Sequence, residues 1–432
     1  MTKGTLLRNK ALSVLLGLEE NGFSPDPSLY SDIPDKRDRA FIKQLTEGVT
    51  ERRITIDHVI DRFSAVKTGK QKKVIRNVLR LGVYQILFMD SVPGFSAVNE
   101  SVKLVKARRM GSLSGFVNAV LRKVADEGFD LSEEDLSIRY SMPEWITDLM
   151  IRELGEERAE AALESFLEPR PVYIRANTFL VSGEELKERL GSEGVAVSGV
   201  PGHADSLIIE DFGDMRELKS FKDGLFSVQD LSSQHIGWEI REILKDKAPG
   251  SFQIMDVSAA PGGKSCHAAE ALKSLGFKDS SVLSVDVSEK RTELIRENAK
   301  RLKLDNIETL TLDARELKER DKDLIIADLP CSGLGVMGRK SSIKYRVKEE
   351  DIGALRALQR EILSASVPAL KKNGIIIYSV CTFDREETVV QRDWIRETFG
   401  MEVIKEKLFV PGEEGTDGFY YVVMCNGKPL KK

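Results

Sequence analysis

Apolar and polar positions over the first 130 residues repeat with the period of a helix. Leu6, Leu7, Leu12, Leu15 and Leu16 recur at helical spacing. The run VIRNVLRLGVYQILFM, residues 74–89, reads as a helix with a wide apolar face, stopped at Pro93 and Gly94. Residues 96–105 and 114–124 give two more helices. An acidic, helix-rich stretch follows to about residue 170 and includes a helical run over 153–167. The period then changes. Strand residues cluster at 172–175, 207–209 and 225–228, with Gly, Pro and Asp between them, and a helix over 182–190 opens on Ser182 as cap. From about residue 231 strands and helices alternate. Strands are predicted at 252–258, 282–287, 308–313, 323–329 and 374–380, with weaker ones near 401–405 and 420–425; helices at 264–275, 289–303, 350–370 and 384–399. The expected architecture is multidomain: an all-α domain (1–130), a helical connector (131–170), a small α+β module (171–230) and an α/β domain (231–432) with a mostly parallel sheet and helices on both faces.

Ligands of an open α/β sheet bind along the rim made by the C-terminal ends of its strands. The strand at 252–258 runs into the turn Ser258, Ala259, Ala260, Pro261, Gly262, Gly263, Lys264, which then opens a helix. Its small residues let a ligand approach the backbone closely. Asp286 ends the next strand, where a carboxylate can accept hydrogen bonds from both hydroxyls of a ribose. Asp313 ends the third, where a carboxylate can take the exocyclic amine of an adenine, and Asp328 ends the fourth. The dinucleotide pattern G-x-G-x-x-G is absent. So much negative charge would repel a diphosphate and tolerate a sulfonium, which favours S-adenosylmethionine over NAD. Any one of these aspartates, taken singly, is equally explained as a helix cap.

Two of the four cysteines close strands on the same rim. Cys331 ends DLIIADLPCSG, from Asp323 to Gly333, and Cys381 ends GIIIYSVCT, from Gly374 to Thr382. C5 of cytosine is a poor nucleophile. A thiolate adding to C6 converts the ring to an enamine that is nucleophilic at C5; after methyl transfer C5 loses its proton and the thiol is eliminated. The chemistry needs a thiol of lowered pKa and a proton donor at the N3 edge. Asp328 can supply the latter if its pKa rises through burial, and Lys264 can lower a thiol pKa or hold Asp328. The residues alone do not rank the two thiols. Cys266 and Cys425 lack this setting and read as packing residues. No cysteine pair has zinc-ligand spacing, and the histidines fall far apart at 58, 203, 235 and 267, so no metal is expected.

Charge changes the picture of the first domain. Residues 1–125 hold 22 Lys and Arg against 12 Asp and Glu, a net +10, whereas the remainder holds 43 against 57, a net −14. A basic domain joined to an acidic one suggests a polyanion partner. Lys67, Lys70, Lys72, Lys73, Arg76 and Arg80 form one basic cluster, and Lys103, Lys106, Arg108 and Arg109 a second; such patches contact phosphates without reading sequence. No apolar run reaches membrane-spanning length. The leucines of the N-terminus are followed by Glu19 and Glu20, which reads as a helix and not a signal peptide. Four cysteines in this length do not form a disulfide framework, so the reducing cytoplasm is the expected compartment.

The ordered set of motifs resembles the RsmB/Sun family of ribosomal RNA cytosine-C5 methyltransferases. DVSAAPGGKS is similar to its cofactor loop, DLPCSGLG to its Pro-Cys motif, YSVCTF to its second cysteine motif and TDGFYYVVM to its last strand. VIRNVLRLGVYQILF and SGFVNAVLRKV are similar to the NusB-type helical RNA-binding fold, and PVYIRANT and FSVQDLSSQ to the small module before a Rossmann-like methyltransferase domain. The resemblance implies that Ser258 to Lys264 bind S-adenosylmethionine, with Asp286 at the ribose, Asp313 at the adenine and Asp328 at the methyl-transfer centre. It makes Cys381 the nucleophile and Cys331 the residue that assists breakdown of the adduct. The alternative is attack by Cys331, as by the Pro-Cys cysteine of DNA cytosine methyltransferases. It implies 16S ribosomal RNA as substrate, free or in an early assembly intermediate, and a monomer with neither metal nor membrane partner. Transfer RNA as substrate, or a non-catalytic NusB-like RNA-binding factor, are the competing readings. Three positions depart from the family pattern: Ser258 stands for a common Cys, Val380 for a common Thr, and the stretch after Gly338 lacks a usual proline.

Overall fold

The computed structural model describes residues 2–21, 30 and 32–427. The chain divides into two compact units. One is Met1–Leu167 together with Arg339–Glu349; the other is Glu168–Gly338 together with Glu350–Lys432.

The first unit is helical. Helices Lys3–Glu20, Lys36–Glu51, Arg53–Phe63, Lys73–Phe88, Gly94–Ala107 and Ser114–Glu127 enclose a core that includes Leu12, Leu15, Ile42, Leu45, Ile56, Val78, Leu79 and Leu121. The leucine pattern of the first helix is only partly inward, because Leu6 stays 50% exposed. Gly82 is required where it is: a Cβ there would meet the Leu121 side chain at 2.5 Å. The run expected over 153–167 is two helices, Glu144–Leu154 and Glu156–Ser165, parted by Gly155 at φ +80°. The first basic cluster is also split. Arg80 is buried and paired with Asp57, and Arg76 is paired with Glu19, so both brace the core; Lys67, Lys70, Lys72 and Lys73 remain exposed.

Arg339–Glu349 completes this unit although it follows Cys331 in the chain. Lys344 Nζ donates to the carbonyl oxygens of Glu51 and Ser141, each at 2.7 Å. Tyr345 donates its hydroxyl to Thr50 O at 2.6 Å, and the Arg53 guanidinium lies 3.7 Å from its ring centre. Burial pulls the Lys344 pKa down to about 7, so the amine can serve these carbonyls without a full charge.

The second unit begins with the small module. β1 (Val172–Ala176), β2 (Ala196–Val200), β3 (His203–Glu210) and β4 (Phe226–Val228) form an antiparallel sheet in the order β2-β3-β1-β4. Helix Gly183–Ser192 covers it and opens on a capping box between Ser182 and Glu185. β2 has no apolar signature because it is a mostly exposed edge strand.

The rest of the unit is a sheet of seven strands: β5 (Gln253–Asp256), β6 (Ser281–Asp286), β7 (Ile307–Thr311), β8 (Lys322–Asp328), β9 (Leu370–Val380), β10 (Glu402–Phe409) and β11 (Phe419–Cys425). The order is β10-β11-β9-β8-β5-β6-β7; β9 to β7 are parallel, β11 alone is reversed, and β10, antiparallel to β11, runs again in the direction of β9. Ile254, Leu324, Ile326 and Ile377 pack on one face, and Met255, Ile325, Ile376 and Tyr378 on the other. The alternation of side chains along each strand accounts for this division. The winding reverses between β5 and β8, which is where such folds bind ligands.

Module and large sheet are joined through a buried ion pair. Arg175 of β1 meets Glu270 of helix Gly263–Ser274, both side chains being 1% exposed. Glu270 also accepts the Thr178 N–H at 2.7 Å, and Arg175 Nε donates to Gln229 at 3.1 Å.

Candidate active site

The loop after β5 has little side chain to obstruct a ligand. Gly262 takes φ +100°, and a Cβ there would come within 3.3 Å of the Ile295 backbone, so only glycine is accommodated without strain. The Ala260–Pro261 peptide is cis. Asp286, at the end of β6, fixes this loop: it accepts the Ala260 N–H at 3.0 Å and the Val287 N–H at 2.9 Å. Its remaining partner is Arg291, whose side chain is 50% exposed. Asp313, just past β7, is held by Arg315, similarly exposed. That arginine lowers the Asp313 pKa, chiefly through their hydrogen bond.

β8 and β9 bring the reactive groups together. Lys264 Nζ lies 2.7 Å from Asp328 Oδ2, and Ser379 donates to Asp328 Oδ1 at 2.8 Å. Both oxygens of Asp328 thus face donors. Burial opposes the Lys264 charge, but Asp328 outweighs it and the ammonium pKa is raised, with a smaller contribution from Cys381. The Cys331 and Cys381 sulfurs are 3.1 Å apart. The hydrogen bond to Cys381, then burial, then neighbouring charges including Glu387 push the Cys331 thiol well above its ordinary range.

The two thiol loops are stitched to each other. Leu329 N donates to Ser379 O at 3.1 Å, Gly335 N to Cys381 O at 3.0 Å, and Ser332 Oγ to Thr382 Oγ1 at 3.0 Å. Gly335 and Gly418 touch so closely that a Cβ on the former would fall 2.0 Å from the Gly418 oxygen. Val380, the departure beside Cys381, is fully buried in the apolar core, and the hydroxyls nearest in sequence are those of Ser379 and Thr382. Lys264, Asp328, Cys331 and Cys381 thus form one cluster, whereas Asp286 and Asp313 lie on the neighbouring strand tips. Cys266 and Cys425 are buried within the core and strand β11, and burial raises the Cys266 thiol to about 12. Ser379, Arg291 and Ser265 were not singled out by sequence reasoning, because isolated serines and arginines carry no motif signal.

Asp256 ends β5 beneath the loop and is 1% exposed, accepting Ser265 Oγ at 2.6 Å. Burial pushes its carboxyl up to about 7 from 3.8. The folded chain therefore holds this proton more tightly than the unfolded chain. The associated stability is fully present below the unfolded pKa and is lost as pH rises to about 7. The melting temperature is expected to fall between about pH 4 and about pH 7, and to fall less in Asp256→Asn. Glu387, also raised to about 7, titrates in the same sense, so the difference between parent and variant isolates Asp256. An equal or steeper fall in the variant would contradict the assignment.

Residues 243–425 match the family model described as 16S rRNA methyltransferase RsmB/F, residues 7–126 the NusB family, and residues 142–216 the ferredoxin-like domain of RsmF/B-like methyltransferases. A Bacillus subtilis protein described as probable ribosomal RNA small subunit methyltransferase B is 33% identical over 89% of this chain and 87% of its own. The chain belongs to the RsmB family. A ribosomal RNA small subunit methyltransferase B of Vibrio cholerae is 30% identical over 90% of this chain and 89% of its own. The crystal structure of PH0851 shares the fold, with a TM-score of 0.79 over 96% of this chain and 98% of that one at 22% identity. The RsmB-family chain therefore combines a NusB-like helical domain, a ferredoxin-like module and a Rossmann-like methyltransferase domain, and its cofactor is S-adenosylmethionine. The rim fits that cofactor. The turn of Ala259, Ala260, Gly262 and Gly263 is bare, and Asp286 and Asp313 each have an exposed arginine that can yield to hydroxyl or amine donors. Among the described residues no helix is long and apolar enough to cross a membrane, and no group of three or more His, Cys, Asp or Glu is placed to hold a metal.

Proposed function

We propose that this RsmB-family chain methylates C5 of a cytosine in 16S ribosomal RNA through a covalent bond between Cys381 and C6. The observation that carries the reading is the pair of sulfurs 3.1 Å apart beside the Lys264–Asp328 ion pair. Bound S-adenosylmethionine supplies an electrophilic methyl group; Ser258 to Lys264, Asp286 and Asp313 would hold it, with Asp328 at the methyl-transfer centre. Lys264, kept charged by Asp328, favours a thiolate on Cys381. That thiolate adds to C6, and donation from the Lys264–Asp328 edge relieves the charge that develops at N3. After C5 is methylated, Cys331, its own proton released to solvent once Cys381 is bonded to C6, takes the C5 proton as thiolate. The C5–H electron pair forms the C5=C6 bond, and the C6–S bond breaks with its pair returning to Cys381.

A cytosine must leave its stack to reach the thiols, so the target lies in a loop or is flipped. Lys70, Lys72, Lys73, Lys106 and Arg109 are exposed and suit phosphate contact in domain 1–130, while 131–170, 171–230 and 231–432 serve as connector, module and catalytic domain. The protein acts as a monomer in the cytoplasm, on RNA free or in an early assembly intermediate. Incubation of 16S RNA with the protein and methyl-labelled S-adenosylmethionine is expected to place the label in 5-methylcytidine on nucleoside analysis. Label in any other nucleoside would reject the reading, and preferred labelling of transfer RNA would reassign the substrate.

A further inference from the structure

A buried polar network that the reaction scheme leaves unused lies directly behind Cys331. Glu387 is 0% exposed, and its carboxylate receives the Ser332 N–H at 3.1 and 3.2 Å. Gln359, also 0% exposed, donates to that carboxylate at 2.9 Å and to the carbonyl oxygen of Pro330 at 2.9 Å. Both peptide groups that flank Cys331 are therefore held, one by Glu387 and the other by Gln359. The network is closed from below. Gln391 donates to the Gln359 oxygen at 2.9 Å, and the Tyr378 hydroxyl donates to the Glu387 carbonyl at 2.6 Å while lying 3.1 Å from Gln359. Side chains from β9, from helix Glu349–Ser366, from the turn at 381–388 and from helix Val389–Phe399 thus converge on a single loop.

Packing alone would not select such groups. An apolar cluster would support the loop without the desolvation of a carboxyl and two amides, and buried networks of this kind specify one geometry. Here the geometry specified is that of the peptide groups on either side of Cys331. Burial favours the neutral form of Glu387 and raises it to about 7, with Asp384 adding to the effect and Ser332 and Gln359 opposing it. Even so, the residue is held against the Cys331 loop by hydrogen bonds to backbone and amide.

We propose that Glu387, acting with Gln359, is a positioning residue that holds Cys331 where it can take the C5 proton and release the Cys381 adduct. The proposal rests on the covalent reading above and assigns the clamp to the second half of that reaction. Its loss should slow release more than adduct formation.

The test uses the full chain, S-adenosylmethionine and unmodified 16S RNA, with covalent protein–RNA complex read on a denaturing gel. Cys331→Ala is the benchmark for blocked release. Glu387→Ala is expected to accumulate complex about tenfold above the parent, whereas Glu387→Gln, which keeps one acceptor oxygen, should accumulate less and turn over faster. A role confined to stability would not produce a gain of adduct. A folded Glu387→Ala with parental turnover and no accumulation would overturn the proposal. So would loss of trapping by 5-fluorocytosine RNA in both variants, which would place Glu387 in the first step or in the fold. Equal accumulation in both variants would assign the effect to charge and also overturn positioning. Should the alanine form fail to fold, Gln359→Leu, which removes the donor to Pro330 O and to Glu387, decides instead: accumulation above the parent supports the clamp and parental behaviour rejects it. Failure of the parent to trap 5-fluorocytosine RNA would instead sink the covalent reading itself.

Discussion

Cys381→Ala is expected to lose methyl transfer by at least about a thousandfold and to form no covalent complex with 5-fluorocytosine RNA. The expectation follows from the place of this sulfur beside Cys331 and in the field of Lys264. The ring carbon has no other nucleophile of comparable strength at the cluster, because burial and hydrogen bonding keep Cys331 protonated. The substitution removes one partly exposed atom, so the folded state should lose no more than about 1 kcal/mol. Thermal melts beside the trapping gel separate the two effects. Cys331→Ala should behave oppositely and retain the trapped complex. Persistence of the complex in Cys381→Ala with its loss in Cys331→Ala would exchange the two roles.

The largest effect on stability is expected at Glu270. Removing it would leave the Arg175 guanidinium buried, with the Nη2 group already lacking a partner. Breaking a buried pair from one side typically costs about 3–5 kcal/mol. Glu270→Ala should therefore shift the urea midpoint strongly. The double variant Arg175→Met with Glu270→Leu should recover much of the loss, since no charge is then stranded. A loss below about 1 kcal/mol in Glu270→Ala would show that water or rearrangement relieves the arginine. Glu270 lies on the helix that begins at Gly263, in the loop proposed to hold the cofactor, so weaker S-adenosylmethionine binding should accompany the loss of stability.

The alternation of β9, β8, β5 and β6 with helices was legible because each carries a short apolar run that ends at or beside Asp or Cys, whereas β7, Ile307–Thr311, is mostly polar and is marked chiefly by the aspartate beyond it. The rim residues were legible for the same reason: a reactive side chain at a strand tip follows directly from the strand. Strand β2 was not, because Ala196–Val200 is small, exposed and without period. The helix expected over 384–399 begins only at Val389, since residues 384–388 turn inward to place Glu387. Glu387 and Gln359 could not be found by pattern. Each is a polar residue in a segment where polar residues normally face water, and only the fold shows them at 0% exposure. The motif resemblance ranked the thiols, while the coordinates supplied what motifs omit, namely that Asp328 is engaged by donors on both oxygens.

Arg339–Glu349 gives the chain a property that a string of modules would lack. The carbonyls of Thr50, Glu51 and Ser141 find their donors in a stretch translated long after them and immediately downstream of Cys331. A fragment stopped at residue 167 lacks those donors. No single cut separates the two bodies intact.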